Sequence, residues 1–170
     1  MNDQLLDDRD YNLWILLGQA RDMVFKARGK ELSQYGVTVE QASILFVIRA
    51  IGGKATPTEI SKWMLREPHT ISVILTRMEK DGLVTKRKDL DKKRQIIVAL
   101  TEKGRQACGQ SARRESVREI MSCLSEEERD QLGSLLEKLR DCALNNIARV
   151  VLPPLPVEPP ACAWVQIFAI

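Results

Sequence analysis

Between Pro68 and Asp81 the apolar residues Ile71, Ile74, Leu75 and Met78 fall on one side of a helical period. His69, Thr70, Ser72, Val73, Thr76 and Arg77 are left for the other side. That second face is small, polar and rich in hydrogen-bonding groups, with no bulky aromatic, so it can approach base edges in a DNA major groove without steric conflict. A few residues on, Asp89, Leu90, Asp91, Lys92, Lys93 and Arg94 form a charged turn suited to a place beside phosphates. Thr56 to Arg105 carries twelve Lys or Arg against seven Asp or Glu, an excess of five, whereas the rest of the chain has 14 against 16. A local excess of positive charge raises affinity for polyanions through counterion release.

The elements that must position these groups are marked locally. Thr56 with Glu59 is a capping box, and Pro57 suits the first helical position, so a short helix starts there with Ile60, Trp63 and Met64 on its apolar side. Pro68 opens the next helix, which runs to about Asp81 and stops at Gly82. Leu83 to Lys88 and Gln95 to Leu100 are short β-prone runs, so the charged turn is the tip of a ribbon. Two helices joined by a short turn and followed by a hairpin make a winged helix-turn-helix.

Around this unit the chain reads as helical. From Asp8 to Gln34, Leu13, Leu17, Ala20, Val24 and Ala27 form one apolar stripe, which Trp14, Leu16 and Phe25 widen enough to suggest a second partner such as another subunit. Thr38 with Gln41 opens a second helix whose Ala42, Leu45, Phe46 and Ile48 face the core, and Gly52 with Gly53 ends it. Thr101 opens a fifth helix towards Met121. Ser125 with Glu128 opens a sixth, through about Val150, with an apolar seam of Leu132, Leu135, Leu136, Leu139, Ala143 and Ile147. Five prolines between Pro153 and Pro160 forbid a regular helix, and Ala161 to Ile170 is almost wholly apolar, so the tail is expected to run extended and dock on something.

The 170 residues suit one globular domain, with 44% apolar and 29% charged residues. No apolar run reaches the roughly 18 residues of a membrane span. The acidic stretch Met1 to Asp10 lacks the features of a signal peptide, so a cytoplasmic location is expected. Cys108, Cys123, Cys142 and Cys162 are widely spaced and His69 is the single histidine, which leaves no zinc spacing and favours buried or structural thiols. No nucleophile elbow, phosphate loop or metal motif is present, so no enzyme, catalytic residue, metal or cofactor is expected.

Pro68-His69-Thr70-Ile71-Ser72 with Arg77 to Val84 resembles the recognition helix of MarR-type transcription regulators. The run Asp89 to Arg94 is similar to that family's wing, and Leu100-Thr101-Glu102-Lys103-Gly104 to the start of its next helix. The resemblance covers roughly residues 10 to 150. It implies a mainly α fold with a small β-wing, a winged helix-turn-helix over 36–100 and helical dimerisation regions over 1–35 and 101–150; the Pro-rich apolar tail over 151–170 falls outside it. It further implies a homodimer on double-stranded palindromic operator DNA, with recognition helices in successive major grooves and wings at the minor grooves.

On that reading His69, Thr70, Ser72, Val73 and Thr76 are candidates for base or sugar-phosphate contacts, and Arg77 and Lys80 for phosphates. Ser72 could equally do no more than hydrogen-bond its own backbone. Lys92, Lys93 and Arg94 belong to the wing, with Asp91 orienting Arg94 towards the narrow minor groove. Val73 stands where many relatives carry Arg, and suits apolar contact with a thymine methyl; Lys93 also replaces a common Arg. The family implies a repressor released by a small aromatic or phenolic effector, for which Trp14, Arg21, Phe25, Phe46 and Arg49 offer an apolar wall and a cation. The alternatives are a redox-sensing regulator using Cys108, Cys123 or Cys142, and an interaction module using the Pro-rich tail.

Overall fold

Each of the expected capping boxes forms in the computed structural model, which describes residues 8–88 and 95–147. Thr38 and Gln41 bond reciprocally at the start of one helix, Thr56 and Glu59 at another, and Ser125 and Glu128 at a third. The elements run α1 Arg9–Ser33, α2 Val39–Ala50, β1 Lys54–Ala55, α3 Pro57–Met64, α4 Pro68–Lys80, β2 Val84–Lys88, β3 Ile96–Leu100, α5 Glu102–Ser111, α6 Glu115–Met121 and α7 Glu126–Ile147. The expected tail at 151–170 and the last turn at 148–150 lie outside the described residues.

The core gathers where the apolar faces of α2, α3 and α4 meet the sheet. Ile44, Leu45, Ile48, Ile60, Ile71, Leu75, Met78 and Val98 are fully buried there. Burying one such side chain contributes about 1.5–3 kcal/mol, so the core outweighs any exposed ion pair around it. Ala107 and Cys108 of α5 enter the same core. Phe46, expected to face this core, is only half-buried, and the Arg114 guanidinium lies 5.1 Å from its ring centroid.

The sheet has three strands, not two. β3 is central and antiparallel to both neighbours, with Val84 opposite Leu100 and Lys88 opposite Ile96 on one side and Ala55 opposite Val98 on the other. Two-residue β1 follows directly on Gly52 and Gly53, both at positive φ, which turn the chain just before it.

The expected continuous helix from Thr101 to Met121 is broken. α5 ends at Ser111, Arg114 takes a left-handed backbone with φ +50°, and α6 begins at Glu115. The orphan groups at the break are taken by α1. Arg28 donates through Nη2 to the Ser111 carbonyl, and Glu31 accepts the N–H groups of Glu115 and Ser116 at 3.0 and 3.2 Å and the Ser116 hydroxyl. Arg28 and Glu31 also pair at 2.7 Å, both side chains nearly buried. Burial alone would raise the Glu31 pKa, but bonds from Ser116, Arg28 and the two N–H groups overcome it and bring the carboxyl down to about 2.

α1 packs on α6 and α2 only through its second half. Its first half leaves Leu13, Trp14, Leu16 and Leu17 exposed, so among the described residues the expected stripe finds no partner there. The α7 seam is likewise open at Leu132, Leu135, Leu136 and Leu139.

Candidate nucleic-acid interface

Helix α4 is held so that one side is sealed and the other bare. Ile71, Leu75 and Met78 are completely buried, while His69, Thr70, Ser72, Val73, Thr76, Arg77 and Lys80 are all exposed. The turn that delivers α4 is closed by Leu65 in the left-handed region, φ +51°, and by the Ser61 hydroxyl, which donates to the Arg66 carbonyl at 2.6 Å.

The far end of α4 is fastened from three directions. Nε2 of Gln41, in the α2 capping box, donates to Oδ2 of Asp81 at 3.0 Å. Nζ of Lys103 donates to the Asp81 carbonyl at 2.7 Å, and the Thr101 hydroxyl to the Gly82 carbonyl at 2.6 Å. Thr101 also caps α5 by accepting the Gly104 N–H at 2.9 Å. α5 thereby docks its first turn on the end of the exposed helix.

Two hydroxyls of the exposed face are partly committed. Ser72 donates to the Pro68 carbonyl at 2.9 Å, as its bland reading expects, and Thr76 donates to the Ser72 carbonyl at 2.9 Å. Their oxygens still accept. Lys86 of β2 uses that of Thr76, with its Nζ 2.9 Å away. Lys86 is not among the expected contacts; the alternation of β2, which puts Lys86 on the face of buried Val84, is the signal for it in the sequence. Asp91, Lys92, Lys93 and Arg94 lie outside the described residues, although the ribbon base that carries them closes at Lys88 and Ile96.

The effector candidates fall into two groups. On α1, Trp14 and Arg21 are exposed, and the Arg21 guanidinium sits 4.8 Å from the centre of the half-buried Phe25 ring. On α2, Phe46 lies under Arg114, and Arg49 hydrogen-bonds the Cys108 thiol. Cys108 is buried, and burial pushes its pKa up against the opposing pull of Arg49 and Arg114, so it drops out as a reactive thiol. Cys123 and Cys142 are exposed.

A family model described as the MarR family matches residues 35–95, the stretch holding α2 to β2. At 27% identity, the homoprotocatechuate degradative operon repressor of Escherichia coli aligns with 84% of this chain and 95% of its own length. The structure of the organohalide-sensing RdhR transcriptional regulator in its 2,4-dichlorophenol-bound form superposes with a TM-score of 0.85 at 29% identity, covering 94% of this chain and 95% of that one. Over these residues the chain resembles the MarR family. It is a transcriptional regulator built on a winged helix-turn-helix. A mutant MarR from Escherichia coli complexed with operator DNA is similar over 76% of this chain and 96% of its own, with 26% identity and a TM-score of 0.67. The uncharacterized HTH-type transcriptional regulator YwoH of Bacillus subtilis (strain 168) is 28% identical over 51% of this chain, which covers 62% of that protein's length. Among the described residues no helix is long and apolar enough to cross a membrane.

Proposed function

We propose that this chain is a MarR-family, cytoplasmic homodimeric repressor that binds a palindromic operator and is released by a small aromatic or phenolic compound. It acts by binding, without catalysis or a cofactor. The single observation that carries the DNA contact is the two-sidedness of α4: a buried Ile71–Leu75–Met78 side and a bare His69–Thr70–Ser72–Val73–Thr76 side. His69, Thr70, Ser72, Val73 and Thr76 meet bases or sugar-phosphate, Arg77 and Lys80 meet phosphates, and Lys92, Lys93 and Arg94 reach the minor groove with Asp91 steering Arg94.

The homodimer is supported by apolar surface left open on α1 and α7, at Leu13, Trp14, Leu16, Leu135 and Leu139. Two-fold protein symmetry then calls for a two-fold related site. An aromatic effector is supported by the two relatives whose names concern homoprotocatechuate and 2,4-dichlorophenol. Trp14, Arg21, Phe25, Phe46 and Arg49 are its proposed surroundings.

The test is selection of bound duplexes from random DNA, repeated with Thr70→Ala and Arg94→Ala. Thr70→Ala relaxes preference at one position, and Arg94→Ala weakens all sequences and lowers the salt slope by about one. No enriched sequence from the wild-type chain would sink the reading. Titration of phenols and aromatic acids against the selected complex tests release.

A further inference from the structure

Lys86 is the one wing-strand cation whose ammonium is tied directly to the exposed face of α4 among the described residues. Its Nζ donates to Thr76 Oγ1 at 2.9 Å and lies 3.4 Å from Glu79 Oε2. The other oxygen of Glu79 accepts the main-chain N–H of Lys86 at 3.2 Å. β2 is an edge strand, so this outward N–H has no strand partner, and Glu79 supplies one. α4 and the ribbon are therefore joined at two points, one through backbone and one through side chain. Thr76 and Glu79 lie three positions apart, one turn of α4, so Lys86 grips a single patch of the helix.

We propose that Lys86 is a positioning residue that sets the tilt of α4 against the wing through Thr76 and Glu79, and is not a phosphate contact. The inference rests on the DNA-binding reading of α4. Two facts favour the inward role. The Lys86 side chain is only 21% exposed, whereas Arg87 and Lys88 beside it are exposed. Its charge is also partly neutralised by the Glu79 carboxylate, which leaves less to exchange for counterions. By holding the Thr76 oxygen, Lys86 fixes the last hydroxyl of the base-facing side while the Thr76 proton stays on the Ser72 carbonyl.

The experiment measures binding to a duplex selected by the wild-type chain, over a range of salt, for Lys86→Met, Glu79→Gln and the double variant, with thermal melting as the folding control. Positioning predicts that Lys86→Met weakens binding by about three- to tenfold at every salt concentration, leaving the slope of log K against log salt unchanged. Glu79→Gln is the sign test. Removing a negative charge near DNA strengthens binding if charge alone matters. The inference requires it to weaken binding, and requires the double variant to be no weaker than Lys86→Met. A slope reduced by about 0.9 in Lys86→Met, or tighter binding by Glu79→Gln, overturns the inference alone. Because Glu79→Gln keeps an oxygen for the Lys86 N–H, it decides the matter should Lys86→Met not fold. A wild-type chain that retains no duplex overturns the DNA-binding reading and this inference with it.

Discussion

The α-carbon of Gly104 faces the carbonyl of Leu83 so closely that an added Cβ would sit 2.0 Å from its oxygen and 3.0 Å from its carbon. The obstacle is main chain in a turn already bonded to Thr101, so it cannot swing aside. Gly104→Ala is expected to destabilise the fold by about 2–3 kcal/mol, at the upper end for overpacking. Urea unfolding reads this as a lower midpoint with unchanged slope. Loss below about 0.5 kcal/mol, within the range of ordinary surface changes, would show that the turn yields.

Glu31 predicts a dependence on acid. Its folded pKa of about 2 lies below the ordinary 4.5, so the stability it contributes is present above about 4.5 and is lost as pH falls towards 2. The size is on the order of 3 kcal/mol. Glu31→Gln is expected to be less stable at pH 7 and to lose that part of the slope between pH 4.5 and 2. Paired thermal melts of the two proteins across pH check it, and parallel curves would refute it.

Val73 is 40% exposed on the bare side of α4, so its truncation separates stability from recognition. Val73→Ala is expected to leave stability within about 0.5 kcal/mol. It reduces preference for thymine at one operator position by about 1 kcal/mol, the apolar contact of two lost methyl groups. Competition binding against single-base variants of the selected duplex measures this. Equal loss on every duplex would count against base contact.

The open apolar surfaces of α1 and α7 predict an assembly that charge can dissolve. Leu16→Glu combined with Leu135→Glu changes two exposed positions, so the monomer fold is expected to survive. Sedimentation is expected to show single chains, and operator affinity to fall by about a hundredfold or more as one half-site is lost. A wild-type chain that already sediments singly removes the dimer.

What was legible in the sequence is what local spacing determines. Thr38–Gln41, Thr56–Glu59 and Ser125–Glu128 announce helix starts because each cap is completed three residues away. The two faces of α4 follow from Ile71, Leu75 and Met78 alone. The break between α5 and α6 was hidden because Glu31, which caps the second piece, is 84 and 85 residues from its partners. β1 exists through pairing with β3, and two residues carry no alternation to detect. Lys86 was visible as a charge but not as a ligand of Thr76, since that contact depends on how a strand crosses a helix.

The two ends of α4 are tethered unequally. Gln41, Lys103 and Thr101 fasten the exit at Asp81 and Gly82, whereas Glu67 at the entry makes no capping bond with its side chain. A rotation of the helix about its exit would move the entry most. At 1.5 Å per residue it is about 18–20 Å long, so a swing of about 10° carries His69 roughly 3 Å while Lys80 barely shifts. In such a rotation the displacement is largest at the proline end and fades along the rod.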